Sequence, residues 1–349
     1  MSQMAKKVAV IRGDGTGPEL VYATMEVFKA VGATDSIEFI PCEGGSEYFH
    51  AARSDSYIPK ETWAVLESSD ACLKGPTTTE PGPNTPRSVA VSIRQKFDLY
   101  ANVRPVKTYK GWEGPLGAVD MLFVREGTEG LYSGIEFKLG DDAAAAVRKV
   151  TRKSSEKVIR FAFKEASESG WRKIVAINKA NILKVTDGLW LEVFRAVGKD
   201  FPGVEMEEYF VDNFAQQLVK NPQIFNRKVI VGTNLFMDVL TEEASGLIGS
   251  IGMVYSANIG DRYAMFEPAH GSSPKYEGLD KVNPVATVLS GAWMLRYLGE
   301  PKRGAAIFSA VDSVVSEGKV LTYDLRGTAG TKEMAGAIAK KAAEYLSQS

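Results

Sequence analysis

Asp238 and Glu242 stand four residues apart in a segment able to form a helix, so their carboxylates share one face and together can chelate a hard divalent cation through oxygen. Arg94, Arg104 and Arg125 add three guanidinium groups on separate elements, beside an apolar helix face and at the ends of two strands. Each is a planar fork that can grip a carboxylate through paired charge-assisted bonds. Lys179, just past the apolar run 174–177, and Tyr132 offer an ammonium and a phenol for moving protons. Plainer readings exist for all of them: arginines and acid pairs at helical spacing usually face solvent, a lysine stem snorkels along apolar surface, and a tyrosine sits half-buried. Proton transfer must still fall to Lys, Tyr and carboxylates, since His50 and His270 are the only histidines and Cys42 and Cys72 the only cysteines. That supply excludes a His-rich metal centre, a four-thiolate zinc site and dithiol chemistry, and makes a His-dependent hydrolase a poor fit.

Gly13, Asp14, Gly15, Thr16, Gly17, Pro18 and Glu19 follow a first strand and open a first helix. The dinucleotide fingerprint G-x-G-x-x-G needs glycine at position 18, where Pro18 is preset for a first helical turn instead. From these residues alone, a phosphate-approaching loop and a plain tight turn both stay open.

The elements that must position these groups alternate. Short β-branched or apolar runs at 8–11, 37–40 and 71–73 are interleaved with amphipathic stretches at 19–30 and 62–67. Further strands are expected at 99–106, 119–124, 173–177, 204–211, 228–231 and 253–255, and helices at 155–168, 183–197, 284–298, 305–315 and 332–346. Such a chain must cover both faces of a mostly parallel sheet with helices, an α/β architecture. The segment 129–138 breaks the alternation, and Leu131, Tyr132, Ile135 and Phe137 around Ser133 and Gly134 predict a strand pair or arm suited to dimerisation.

A length of 349 residues supports two domains or one large one. With 44% hydrophobic and 24% charged residues the chain is of the globular kind, neither disordered nor collagen-like. A net charge of −1 provides no global field toward nucleic acid or an anionic membrane, so any anion site is local. The run 8–11 between Lys7 and Arg12 is too short for a signal-peptide core, and the uncharged run 244–260 is broken by four glycines. No membrane association is expected, and free cysteines fit a cytoplasmic setting.

Taken in order, Gly13–Glu19, then Leu73, Lys74, Gly75 and Pro76, then Asp98, Leu99, Tyr100, Ala101, Asn102, Val103, Arg104 and Pro105, then Asn178, Lys179, Ala180 and Asn181, and finally Glu267, Pro268, Ala269, His270 and Gly271 resemble the β-decarboxylating dehydrogenases, the isocitrate, homoisocitrate, isopropylmalate and tartrate enzymes. The resemblance spans most of the chain. It implies a two-domain isocitrate/isopropylmalate dehydrogenase-like α/β fold with a parallel-rich, non-Rossmann sheet. Residues 1–98 with 251–349 would form the large cofactor-binding domain, and 99–250 a smaller domain with a protruding arm, which serves dimerisation and holds substrate and metal.

Within that resemblance Arg94, Arg104 and Arg125 hold the substrate carboxylates of a di- or tricarboxylate. Ser88 matches the residue that meets the carboxylate distinguishing isocitrate, and with Asn84 or Thr85 capping a helix and Pro86 starting it, Ser88 falls in the first turn, where free N–H groups favour an anion. Ala90 departs from the isocitrate pattern, which commonly has Asn there, while 129–136 looks more like isocitrate or homoisocitrate members than isopropylmalate ones. Asp238 and Glu242, with Asp212 from the other subunit of a homodimer, are implied ligands of Mg²⁺ or Mn²⁺, although Glu242 stands where the family usually has Asp. Lys179 matches the base that takes the hydroxyl proton, and Tyr132 the acid that protonates the enol carbon. The implied activity is metal-dependent oxidative decarboxylation of isocitrate, with homoisocitrate, tartrate or isopropylmalate as alternative substrates. A non-catalytic regulatory subunit is the alternative of another class.

Residues 267–276 resemble the adenosine loop. Lys275 and Tyr276 stand where NADP users carry Lys and Tyr, and NAD users carry Asp in place of the lysine, so NADP is favoured with NAD possible. Tyr323 and Asp324 fit the NADP pattern, but the family's arginine falls one residue later than Arg326. Lys74, Thr78, Asn181, Glu267, His270, Gly271, Ser272 and Asn283 are carried over as further cofactor contacts.

Overall fold

A computed structural model describes residues 5–82 and 85–348. Its strands are β1 (Lys6–Ile11), β2 (Ile37–Cys42), β3 (Ala71–Lys74), β4 (Ala101–Lys107), β5 (Asp120–Glu126), β6 (Glu136–Lys138), β7 (Ala144–Ala146), β8 (Lys173–Asn178), β9 (Glu205–Phe210), β10 (Val229–Gly232), β11 (Tyr255–Ile259) and β12 (Ala264–Pro268). Ten of them form one sheet in the order β2-β1-β3-β12-β11-β4-β5-β10-β8-β9, and β6 and β7 pair antiparallel as a separate arm. The centre, β12-β11-β4-β5, is antiparallel, and both flanks are parallel. Strands from the two chain ends therefore make one half of the sheet and strands from the middle make the other.

Burial on both faces explains the sequence pattern. Every residue of β3 and β10 is buried, as expected of interior parallel strands. Along β1, Val8 and Val10 join one apolar cluster while Ala9 and Ile11 join another, so helices cover the strand from both sides. The helix Val285–Tyr297 is buried continuously from Val285 to Ala292, which is why it lacks a polar face.

Two local expectations shift. The strand expected at 253–255 begins at Tyr255, because the Ser250 side chain accepts from the Gly252 N–H and winds Ile251–Met253 into a 3₁₀ turn. The helix expected from Pro86 starts at Val89 instead, leaving Ser88 as its N-cap. Thr85 cannot cap it, because its hydroxyl donates to Glu80 O and Gly82 O and closes the preceding loop. Asn84 lies outside the described residues. Among the described residues no helix is long and apolar enough to cross a membrane.

The glycine-rich opening proves to be a structural turn. Its N–H groups are spent internally: Asp14 N on Pro76 O, Gly15 N on Glu47 Oε1, Thr16 N on Ser272 O and Gly17 N on Asp14 O. Gly13 has φ +79°, and a Cβ there would lie 2.1 Å from Pro76 O, so only glycine fits. The Asp14 carboxylate accepts from Ser46 N, Glu47 N and Thr78 N, tying the turn to the loop after β3.

Candidate active site

The floor of the site is a polar network on the antiparallel centre of the sheet. Asn102 of β4 and Asn258 of β11 are paired across the two strands and fully buried, and Asn102 Nδ2 donates to Asn258 Oδ1 at 2.8 Å. That same oxygen accepts from Arg94 Nε at 2.7 Å, while Asn258 Nδ2 donates to Glu267 Oε1 at 2.8 Å. Glu267 also pairs with Lys74 Nζ at 2.9 Å and Arg94 Nη2 at 3.1 Å. Burial opposes its ionisation, but Lys74 and Arg94 prevail and hold its carboxyl down at about 2.

One wall is built by the helix Asn234–Leu247. Asn234, Asp238 and Glu242 recur every fourth residue and so share a face. Asn234 Oδ1 accepts from Arg125 Nε and Nη2 at 2.9 and 2.7 Å, and Arg125 Nη1 donates to the Asp238 carboxylate. Arg104 donates to Asn102 Oδ1 at 3.0 Å, Thr241 Oγ1 at 2.8 Å and Glu242 Oε1 at 2.9 Å. Tyr132, in the 3₁₀ turn Leu131–Ser133, donates a hydrogen bond from its hydroxyl to the Asp238 carboxylate, and the Arg125 guanidinium lies 4.8 Å from its ring centre. Burial raises the Tyr132 phenol above its ordinary range, so it stays protonated at neutral pH. Burial raises the Asp238 carboxyl as well, but Arg125, the Tyr132 hydroxyl and Arg104 outweigh it and hold that group below its ordinary range, ionised. Burial and the neighbouring Arg94 bring Arg125 down to about 10, still cationic at pH 7.

The charged groups of this network other than Glu242 line one cavity of about 310 Å³. Ser88, Ala90, Val91, Arg94, Arg104, Arg125, Tyr132, Asp238, Lys74, Glu267, His270 and Gly271 all contribute to it. Four cations, Lys74, Arg94, Arg104 and Arg125, face Glu267, Asp238 and the half-exposed Glu242. An excess of fixed positive charge in a half-enclosed cavity favours a small polyanion over a neutral ligand. The Ser88 hydroxyl makes no bond to the helix it caps, and the residue lines the cavity, free for a ligand.

A second cavity of about 90 Å³ lies on the far side of His270, lined by Thr16, Ser250, Tyr276, Asn283, Tyr323 and Asp324 among others. His270 lines both cavities, its Nδ1 contacts Gly271 O at 3.0 Å, and its buried Nε2 has no partner among the described residues. Burial pushes this imidazole toward the neutral form. An orphaned ring nitrogen at the junction fits an extended ligand running from one cavity to the other. Tyr276 and Tyr323 lie with ring centres 5.5 Å apart, with Lys275 4.9 Å from the Tyr276 ring and Lys281 4.9 Å from the Tyr323 ring. The hydrogen bond from Tyr323 and the charge of Lys275 lower the Tyr276 phenol. Asp324 is committed to the fold, accepting from Ser250 Oγ, Thr322 Oγ1 and Asn283 Nδ2. Thr78 and Ser272 hydroxyls meet at 2.6 Å. Arg326 turns away to the Trp112 ring at 5.6 Å.

The remaining expected residues are not in these cavities. Lys179 Nζ pairs with Asp212 Oδ2 at 2.7 Å, which lowers the Asp212 carboxyl, and Asn181 lines a separate open cavity of about 810 Å³ with Phe210 and Asn213. One chain thus presents two separate groups of these residues. One holds the arginines, Tyr132 and Asp238, and the other holds Lys179 and Asp212. Among the described residues no three His, Cys, Asp or Glu side chains converge as a metal centre. Asp238 and Glu242 nevertheless provide two hard carboxylate donors on one helix face, which fits two ligands of an oxygen-preferring divalent cation.

Several participants escaped sequence reasoning. Asn234 was legible in principle as the i−4 partner of Asp238, and Asn258 as a lone amide in an apolar strand. Lys281 had no local signal, because its tyrosine partners come from separate loops.

The isocitrate/isopropylmalate dehydrogenase family model matches residues 7–338. The chain is 40% identical to a 3-isopropylmalate/3-methylmalate dehydrogenase of Methanocaldococcus jannaschii over 97% of this chain and 99% of that one. It is 39% identical to a homoisocitrate dehydrogenase of the same organism, over 95% and 96% respectively. The crystal structure of isocitrate dehydrogenase from Methylococcus capsulatus superposes with a TM-score of 0.91 at 39% identity, covering 97% of this chain and 99% of that one.

Proposed function

For a chain that belongs to the isocitrate/isopropylmalate dehydrogenase family, and is therefore a nicotinamide-dependent decarboxylating dehydrogenase, we propose isocitrate as the substrate, 2-oxoglutarate and CO₂ as products, and NADP as the preferred acceptor. The observation that carries the substrate class is the convergence of three buried guanidinium groups on one cavity beside Asp238 and Tyr132. Three planar forks match three carboxylates, and Ser88 at a helix N-terminus supports a carboxylate that an isopropyl group would not supply.

In this reading Arg104 and Arg125 turn from the Glu242 and Asp238 carboxylates to those of the substrate, and Arg94 adds a substrate carboxylate to the bonds it keeps. Glu267 and the two asparagines beneath keep the Arg94 and Arg104 planes fixed. When bound, a divalent cation supplies a Lewis acid at the hydroxyl and the nicotinamide supplies the hydride acceptor. Asp238 and Glu242 would hold the cation together with Asp212 of the partner subunit. Lys179 of the partner subunit takes the hydroxyl proton, and Tyr132, protonated at neutral pH, returns a proton to the carbon that has lost CO₂. The division of these residues into two half-sites on one chain supports a homodimer with shared active sites. Lys275 and Tyr276, with no acid in the lysine's place, support NADP over NAD.

Homoisocitrate is the second reading. Ala90 and Val91 give the Ser88 side of the cavity an apolar wall that accommodates one more methylene. A panel of isocitrate, homoisocitrate, isopropylmalate and tartrate, each with NAD and NADP and with or without Mg²⁺, tests both. Highest kcat/KM with isocitrate, NADP and Mg²⁺ supports the proposal, and preference for isopropylmalate refutes it.

A further inference from the structure

We infer that Arg148 is a positioning residue that sets the Lys179 loop and the start of the Asn234–Leu247 helix in one register, an inference that rests on the proposed role of Lys179. Arg148 follows β7 at the base of the arm. Its Nη1 donates to Asp187 Oδ1 at 2.5 Å and to Thr186 Oγ1 at 2.9 Å, and its Nη2 donates to Thr233 Oγ1 at 2.7 Å. The guanidinium carbon lies 5.0 Å from the Phe236 ring centre, so the fork is stacked as well as bonded.

Asp187 carries the restraint to Lys179. Its side chain is wholly buried, and its second oxygen accepts the Lys179 backbone N–H at 2.6 Å. The Lys179 carbonyl accepts in turn from Ile182 and Leu183 N–H groups. The backbone of Lys179 is therefore held on both sides, and its ammonium is delivered to Asp212. Arg148 is the cation paired with Asp187 among the described residues, and a buried carboxylate stripped of its counter-ion does not keep its place.

Thr233 carries the restraint to the other half-site. It is the N-cap of the helix bearing Asn234, Asp238 and Glu242, and a threonine there usually turns its oxygen onto an N–H of its own first turn. Here it makes no such bond and accepts from Arg148 instead. The helix start thus takes its position from the guanidinium, and one side chain references both half-sites of a protomer. A lysine, with one compact ammonium, cannot reach Asp187, Thr186 and Thr233 while stacking on Phe236.

The test uses the full chain with Arg148→Lys, read by isocitrate and NADP kinetics and by amide exchange of residues 178–183 and 234–238. We expect kcat to fall about 10- to 100-fold, as for a small misplacement of a reacting group. KM should shift less than about threefold, because two of the three substrate arginines, Arg94 and Arg104, are anchored on Asn258 and Asn102, away from Arg148. Exchange at 178–183 should accelerate at least about tenfold. Unchanged kcat, kcat and KM that worsen together, or unchanged exchange at 178–183 would each overturn the inference. Should Arg148→Lys fail to fold, Thr233→Val decides: faster exchange confined to 234–238 with lowered kcat supports the register role, and wild-type values for both overturn it. A wild-type protein that turns over none of the hydroxy acids would sink the functional reading, while the exchange comparison would still judge the network.

Discussion

Glu267→Gln keeps the shape of the side chain at the bottom of the cavity and removes its charge, leaving Lys74 and Arg94 buried without a carboxylate. The wild-type group ionises near 2, against an ordinary 4.5, because those two cations outweigh the cost of burying it. A depressed folded-state value means that the stabilisation is fully present above the unfolded-state value and is lost as pH falls from about 4.5 toward 2. Displacement over that interval corresponds to about 3 kcal/mol. Breaking a buried ion pair by removing one partner typically costs about 3–5 kcal/mol, the same order. Urea unfolding followed by tryptophan fluorescence should therefore show Glu267→Gln less stable by about 3 kcal/mol at pH 7. The gap to wild type should shrink to roughly half by pH 3, since glutamine does not titrate. A gap under about 1 kcal/mol at pH 7, or one that stays constant down to pH 3, would refute the assignment of Lys74 and Arg94 as the source of that charge stabilisation.

Two substitutions separate the proposed roles. Lys179→Met is expected to lower kcat by about 10²- to 10⁴-fold while calorimetric affinity for isocitrate is kept, and near-normal turnover would remove this lysine from the proton path. Lys275→Asp exchanges a charge-assisted bond for repulsion of a phosphate, so the NADP to NAD ratio of kcat/KM should drop by at least about tenfold. An unchanged ratio would move the phosphate site elsewhere.

The sequence was most informative where chemistry and periodicity coincided. The alternation of apolar runs anticipated the parallel flanks of the sheet, because strands buried on both faces must be apolar at consecutive positions. The spacing of Asp238 and Glu242 anticipated that a helix sets both on one face. The antiparallel centre was not legible: β12 was missed and β11 was placed early, since residues 244–260 mix glycine and serine with apolar side chains and no periodicity marks where the 3₁₀ turn ends. Nor could spacing reveal that Asn102 and Asn258, 156 residues apart, meet under the arginines. The backbone N–H groups of the glycine turn, open to a phosphate by sequence, are taken by partners such as Pro76 O and Ser272 O, which arrive from distant loops. Arg148 carried no motif at all, and its significance rests wholly on what the fold places around it.

The central claim is that a polyanion lies on Arg94, Arg104 and Arg125 beside a divalent ion gripped by Asp238 and, from a second copy, Asp212. Crystals grown with isocitrate and Mn²⁺, measured at the manganese absorption edge, test it directly. One anomalous peak per site is expected within coordination distance of Asp238 of one protomer and Asp212 of its partner, with substrate carboxylates on the three arginines. A manganese peak away from Asp238, or isocitrate bound without contact to those arginines, would contradict it.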